Sequence, residues 1–240
     1  MPARADPGLL PRGHGLAVVI PAYQAAATIA AVVTRTRRAV PEATVYVVDD
    51  GSSDATGELA RAAGASVLVH RRNAGKGRAL GAGIARALAA GAEILVTVDA
   101  DGQHRPEDIP RLAAPVAGGE ADLVLGARAR NGAMPLGRRL TNWLSAALAS
   151  RIGGVRVPDA QTGFRALSRQ AAQTLQPEEA RYDFETAFLL HALAGGWRVR
   201  SVAVPTVYAG QASHFRAWGD TWRLARVFTR FGRAIIFGAR

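Results

Sequence analysis

Through its first half the chain alternates short β-rich apolar runs with helical stretches, and few arrangements can bury such a pattern. Strands that are apolar on both faces need helices on both sides of a mainly parallel sheet, so the pattern predicts an α/β fold made of βαβ units. Strands are expected at Leu16–Ile20, Thr44–Val48, Ser66–Val69, Ile94–Val98 and Leu123–Leu125, with helices at Ala25–Arg38, Asp54–Ala63, Gly77–Ala90 and Pro106–Ala117 between and after them. The second half is less regular. A helical run from Arg138 to Ile152, a polar loop from Asp159 to Arg165, a helix from about Phe184 to Ala194 and a strand from Arg198 to Val204 are expected there. Residues 1–15, rich in Pro, Gly and Arg, read as a disordered lead-in to a domain spanning 16–215, and 216–240 as one long basic helix.

In a parallel sheet, ligands bind beyond the carboxyl ends of the strands, so the residues just after each run are the ones to search for chemistry. Here they are polar: Pro21, Ala22 and Tyr23 after the first strand, Asp49 to Asp54 after the second, Asp99 to His104 after the fourth, and Gly126, Ala127 and Arg128 after the fifth. Asp99 and Asp101 are separated by one residue, so both can face one ligand, and Gln103 continues the alternation. Carboxylate and amide oxygens suit a hard cation, Mg²⁺ or Mn²⁺, that bridges two phosphates. An isolated D-x-D is more often a solvated turn, and its place at a strand end is what favours the metal reading. Asp49 and Asp50 close the second strand, where a carboxylate can accept from a base or ribose; the sequence does not say which of the two does so. Ser52, Ser53 and Asp54 are expected to cap the next helix.

Several classes fall away. The segment Arg71 to Gly77 lacks the spacing of a phosphate-binding P-loop, and no G-x-G-x-x-G follows the first strand, which argues against hydride transfer with NAD. With no cysteine, disulfides and thiolate chemistry are excluded. The five histidines show no zinc-like pairing. A net charge of +11, with Lys76 the only lysine, points to an anionic partner. No RNA- or DNA-reading motif accompanies that charge, so a nucleic-acid partner is not expected. Nor does any stretch of about eighteen apolar residues run without a charge, so membrane contact is expected to be peripheral, at the inner, cytoplasmic face.

V-V-I-P-A-Y at 18–23, V-V-D-D-G-S-S-D at 47–54, N-A-G-K-G at 73–77, D-A-D-G-Q-H at 99–104, Gly126-Ala127-Arg128, Q-T-G-F-R at 161–165 and S-H-F at 213–215 together resemble family 2 glycosyltransferases, in particular the dolichyl-phosphate mannose synthase-like group. The resemblance covers roughly residues 16–215. It implies a GT-A fold, inversion at the anomeric carbon, and a GDP- or UDP-linked sugar donor held with Mg²⁺ or Mn²⁺. By motif match, Pro21, Tyr23 and Asp49 or Asp50 hold the nucleoside, and Asp99, Ala100, Asp101 and Gln103 meet metal and diphosphate. Arg128 meets phosphate, and His214, in a stretch where relatives commonly carry Arg and Lys, also lies on the donor side. Thr162 and Arg165 are implied to line the acceptor side.

The acceptor is less legible. A polyprenyl phosphate is already anionic, whereas a sugar or lipid hydroxyl needs a base. Asp183 and Glu185 sit where hydroxyl-using relatives place one, although Asp183 reads equally well as the cap of the helix from Phe184. Arg138 and Arg139 open a helix with an apolar stripe and are candidates to receive a lipid phosphate; core packing explains the stripe as well. In the last segment Arg223, Arg226, Arg230 and Arg233 recur at helical spacing opposite Trp218, Trp222 and Phe228, a pattern suited either to a headgroup surface or to packing on protein.

Overall fold

The computed structural model describes residues 15–128, 136–174 and 184–205, and within Leu136–Gly153 the side chains from Asn142 onward except two. Asp183, His214, the 216–240 segment and the side chains of Arg138 and Arg139 lie outside the described residues.

Seven strands form one sheet: β1 (Leu16–Ala22), β2 (Thr44–Asp49), β3 (Ser66–Val69), β4 (Ile94–Thr97), β5 (Leu123–Arg128), β6 (Arg165–Ser168) and β7 (Val199–Val204), in the order β3-β2-β1-β4-β6-β5-β7. β1 pairs in parallel with β2, Ala22 opposite Asp49, and with β4, Val19 opposite Thr97. The chain therefore builds outward from β1 to β3, then returns to add β4 on the other side of β1. That reversal makes the carboxyl ends of β1 and β4 a switch point, the place where open α/β sheets bind their ligands.

The side chains of the central strands alternate between two cores, as the period of a strand requires. Val18, Ile20, Val96, Val124 and Ala166 pack with α1 (Ile29–Ala39), α2 (Thr56–Ala62) and α4 (Ile109–Ala117). Val19, Leu95, Leu123, Leu125 and Leu167 pack with α3 (Lys76–Ala89), α5 (Leu136–Gly153), α6 (Arg169–Gln173) and α7 (Phe184–Ala194). With helices on both faces, each central strand is buried on both sides, which is why their sequences are almost uninterrupted Val, Ile and Leu.

The first-half strands fall where the pattern puts them, and β1 and β2 run one or two residues further, into the functional rim. The helix expected from Ala25 starts at Ile29, because Gln24 to Thr28 form a turn fastened to the β2–α2 loop: Ala25 N donates to Thr56 Oγ1 at 2.8 Å and Gln24 N to Ser52 Oγ at 3.0 Å. The expected capping by Ser52, Ser53 and Asp54 takes a different form. α2 has Ala55 at its cap position, without a side-chain cap, and the two serines accept from Gln24 across the loops. Asp54 accepts from the backbone and hydroxyl of Thr56.

The main departure is β6, where the sequence pattern predicts only the end of a polar loop. Arg165–Ser168 runs antiparallel to both β4 and β5, with Thr97 opposite Arg165 and Leu123 opposite Leu167. The sheet is thus mainly, not wholly, parallel.

α3 lies tightly on the sheet because residue 83 is glycine. A Cβ there would overlap Val19 Cγ1 and come within 3.0 Å of Val48 Cγ2, both on stiff β-branched side chains that are fully buried. Gly83→Ala gains about 1 kcal/mol of helix propensity, yet overpacking of this kind costs about 1–3 kcal/mol. Net destabilisation in urea unfolding is the expected result, and the double variant Val19→Ala, Gly83→Ala should recover part of the overpacking loss.

Candidate active site

The carboxyl ends of β1, β2 and β4 bring the predicted residues together on one rim. Pro21 is buried within the end of β1, and Tyr23, just beyond it, is 51% exposed. At the end of β2 both aspartates are buried, with different duties. Asp50 Oδ1 accepts from Ala74 N at 3.0 Å and lies 2.7 Å from His70 Nδ1, while its Oδ2 accepts from Gly75 N at 2.8 Å. Asp50 therefore clamps the loop that leads into α3. Asp49 accepts from Ser52 N at 2.9 Å through Oδ1. Its Oδ2 lies against Gly57, where a Cβ would stand only 2.7 Å from it.

Beyond β4 the acidic pair is held asymmetrically. Asp99 Oδ1 is 2.6 Å from Lys76 Nζ, and Oδ2 is 3.4 Å from His104 Nε2. The third side of the carboxylate is closed by the backbone of Gly163, where any Cβ would collide with both carboxylate oxygens; only glycine fits that approach. The Gly163 carbonyl accepts from Thr97 Oγ1 at 2.6 Å, which ties this loop to the end of β4. Burial alone would push the Asp99 carboxyl up, but the Lys76 ammonium and His104 overcome it and hold Asp99 well below the usual carboxylate range. Asp101 goes the other way: burial, and then the negative charge of Asp99, raise its carboxyl. Gln103 N donates to Asp101 Oδ1 at 2.9 Å, and Ala100, itself buried, accepts from Thr28 Oγ1 through its carbonyl at 2.6 Å. The D-A-D-G-Q turn is thus fixed by α1 behind it and by its own backbone.

Four residues to which sequence reasoning gave no such part, Lys76, Glu185, His104 and Asp159, complete the setting. Lys76 also reaches Glu185 Oε1 at 2.6 Å, an ionic contact without hydrogen-bond alignment. Glu185 is only 4% exposed, in a helix whose neighbouring residues are buried, so an acid there needs a partner inside the protein. Burial works against the Lys76 ammonium, and Asp99 and Glu185 together raise it above its ordinary value. His104 is 3% exposed with its ring 5.2 Å from that of Phe164. Asp159, read as part of a polar loop, holds Arg128: Nε donates to Oδ2 at 2.6 Å and a terminal nitrogen to Oδ1 at 3.2 Å. The signals were there in part: a sole lysine, and a lone acid inside an apolar helix.

The predicted acceptor residues lie deeper than expected. Thr162 is fully buried, its hydroxyl accepting from Phe164 N at 3.2 Å. Arg165 is 4% exposed and donates to the carbonyls of Thr162 and Ala160 at 2.9 and 3.0 Å. Burial pulls its guanidinium down to about 10, opposed by Glu185, Asp159 and Asp99, so it stays charged at neutral pH. Both residues shape the loop beneath the acidic pair, and neither side chain presents itself at the surface.

The donor chemistry suits a hard cation. Among the described residues no cluster of three or more acids or histidines forms a cage. Asp101, with Asp99 behind it and Gln103 two residues on, offers oxygens of the kind that suit an Mg²⁺- or Mn²⁺-type ion taking its remaining oxygens from phosphates and water.

Comparisons with known proteins give the family and the fold. The family model for glycosyl transferase family 2 matches residues 17–176. Polyprenol monophosphomannose synthase of Mycolicibacterium smegmatis is 34% identical, over 84% of this chain and 81% of that protein. Undecaprenyl-phosphate mannosyltransferase of Micrococcus luteus is 32% identical, over 79% of this chain and 82% of its own length. Among solved structures, glucosyl-3-phosphoglycerate synthase of M. tuberculosis superposes with a TM-score of 0.74 at 26% identity, covering 92% of this chain and 81% of that one. The same synthase has also been solved in complex with Mn²⁺, uridine diphosphate and glucosyl-3-phosphoglycerate. The α/β sheet described above is accordingly that of a GT-A glycosyltransferase. The chain belongs to glycosyl transferase family 2 and, within it, to the dolichyl-phosphate mannose synthase-like group.

Proposed function

We propose that this glycosyltransferase moves a sugar from a nucleotide diphosphate to a polyprenyl phosphate or a similar anionic lipid, with inversion and with help from a divalent cation. The observation that carries the reading is the Asp99–Asp101 pair at the switch point between β1 and β4, where Asp101 is a carboxyl that burial and a neighbouring charge make costly to ionise without a cation. The two relatives named for polyprenyl-phosphate substrates support the acceptor class, and the manganese–uridine diphosphate complex of the synthase supports the cation.

In this reading Pro21, Tyr23 and Asp49 form the nucleoside end of the rim. Asp50 acts one step removed, by fixing the Asn73–Gly75 loop. Asp101 and Gln103, with Asp99 behind them, hold the cation, which when bound offsets the charge that develops on the leaving diphosphate. Arg128, oriented by Asp159, adds positive charge on the same rim, and His214 extends the donor side. An oxygen of the lipid phosphate attacks the anomeric carbon from the face opposite the diphosphate, the carbon–oxygen bond to the diphosphate breaks, and the nucleotide diphosphate departs. An anionic nucleophile needs no base, in keeping with Glu185 being buried and ion-paired rather than open to an acceptor. Arg138 and Arg139, in the first turns of α5, are the cations assigned to the lipid phosphate. The basic 216–240 segment is assigned to the membrane surface, where the acceptor resides; among the described residues no helix is long and apolar enough to cross a membrane.

Labelled sugar nucleotides (GDP- and UDP-linked) incubated with Mn²⁺ and a polyprenyl phosphate should give label in the organic phase; label confined to the aqueous phase with every lipid overturns the acceptor class. Asp101→Asn should lower turnover by about 10²- to 10³-fold, the usual size for loss of one group that stabilises transition-state charge. Because the Asp101 carboxyl is raised in the folded protein, its ionisation costs stability as pH climbs from the ordinary carboxylate value through the raised one. A cation that binds the ionised form should therefore raise the melting temperature above that range and not below it, and Asp101→Asn should lose this pH-dependent gain.

Asp183→Asn separates the two acceptor chemistries. With a lipid phosphate the loss should stay within about tenfold, whereas removal of a general base costs about 10²- to 10⁴-fold. Deleting residues 216–240 should abolish sedimentation with anionic vesicles while leaving nucleotide affinity unchanged. Continued sedimentation of the truncated, folded protein overturns the membrane assignment.

A further inference from the structure

The chain has 30 Lys and Arg residues, and Lys76 is the one lysine among them. It stands where a single nitrogen touches two carboxylates, Asp99 Oδ1 and Glu185 Oε1, each at 2.6 Å. A compact ammonium can serve two such acids through one atom, whereas a guanidinium spreads its charge over a plane and favours one carboxylate side-on. The setting leaves little freedom. Lys76 opens α3 directly after the loop that Asp50 clamps, Gly163 closes on Asp99, and Glu185 is buried in the first turn of α7. Glu185 is thus a second counter-ion for Lys76, brought in by a helix that otherwise buries apolar side chains beside it. The ammonium thus stands directly against one member of the acidic pair, Asp99.

We propose that Lys76 is a tuning cation that keeps the affinity of the Asp99–Asp101 pair for a divalent metal low until a nucleotide diphosphate is present, with Glu185 as the counter-ion that limits this effect. The inference rests on the reading of Asp99 and Asp101 as the metal–diphosphate site. The ammonium and a divalent ion draw on the same carboxylate charge, so each weakens the other's hold on it. Glu185 takes up part of the ammonium's charge and limits that competition. A diphosphate adds negative charge to the site and tips the balance toward the metal, so metal and nucleotide enhance each other's binding, by the same factor in either order.

The test is Mn²⁺ binding by the full chain, measured by titration calorimetry alone and with UDP or GDP. If the wild-type protein binds Mn²⁺ with neither nucleotide, the functional reading itself falls and this inference with it. Given wild-type binding, Lys76→Met should bind Mn²⁺ alone about tenfold more tightly and show a smaller enhancement by nucleotide, within the usual 5- to 150-fold span of such couplings. Glu185→Gln, which keeps shape and removes charge, should shift Mn²⁺ affinity the other way, several-fold weaker, with a larger nucleotide enhancement. Glu185→Asp should return it toward the wild-type value. If both neutral variants weaken Mn²⁺ binding together, the pair is merely structural and the inference is overturned while the functional reading stands. Should Lys76→Met fail to fold, Glu185→Gln decides alone: unchanged or tighter Mn²⁺ binding in that variant overturns the inference.

Discussion

The parallel pairing of β1 with β2 on one side and β4 on the other is the constraint from which the site follows. It places the ends of three strands side by side, so that Tyr23, the Asp49–Asp50 pair and the Asp99–Asp101 pair share one rim although they are far apart in sequence. The helices α1, α2 and α4 on one face and α3 and α7 on the other leave these strands no solvent-facing side. Only their ends are available for chemistry. A shift of β4 by one residue against β1 would turn Leu95 out of its core and reverse the alternation along the strand. Register and site are therefore fixed by the same apolar contacts.

Beneath the rim lies an unusual amount of charge for a protein interior. Asp99, Lys76 and Glu185 form one group, Arg128 and Asp159 another, and buried Arg165 connects them through carbonyls of the 160–162 loop. Removing a single partner from such a pair leaves an uncompensated charge and typically costs about 3–5 kcal/mol, a large share of the stability of a domain. Asp159 illustrates the sign. Burial opposes its ionisation, but the bonds from Arg128 outweigh that and hold its carboxyl low. Its contribution to stability is then present above the ordinary carboxylate range and is lost as pH falls through the lowered value.

The parts of the fold governed by local pattern were legible in the sequence. β1, β2 and β4 are apolar because both of their faces are covered, and turn residues bound them, so period and composition agree. β6 was not legible, for a physical reason. R-A-L-S is four residues long, begins with a charge, and earns its place through antiparallel pairing with strands about forty and seventy residues earlier in the chain. Nothing local encodes that. At the site, strand ends and the D-A-D-G-Q spacing located Asp99, Asp101 and Gln103, but a sequence cannot say which carboxylate oxygen is already occupied. Asp49 and Asp50 look alike as letters; the hydrogen bonds from Ala74 and Gly75 distinguish them. Thr162 and Arg165 belong to a recognisable motif, and only the packing shows that their side chains point inward.

The reversed direction of β6 divides the labour within the enzyme in a way that bears on how such chains diversify. Because β6 runs against β4, the loop that enters it arrives at the same end of the sheet as the acidic pair, and Gly163 is delivered directly onto Asp99. The segment between β5 and β6, which includes α5, is thus an excursion that begins and ends on the rim of the acidic pair without interrupting β1 to β4. It is anchored at two points, Arg128 with Asp159 and Gly163 with Thr97. On the function proposed above, remodelling this excursion would change acceptor preference while the strands assigned to the nucleotide stay untouched, so the fold would separate the inheritance of donor chemistry from the invention of acceptor choice.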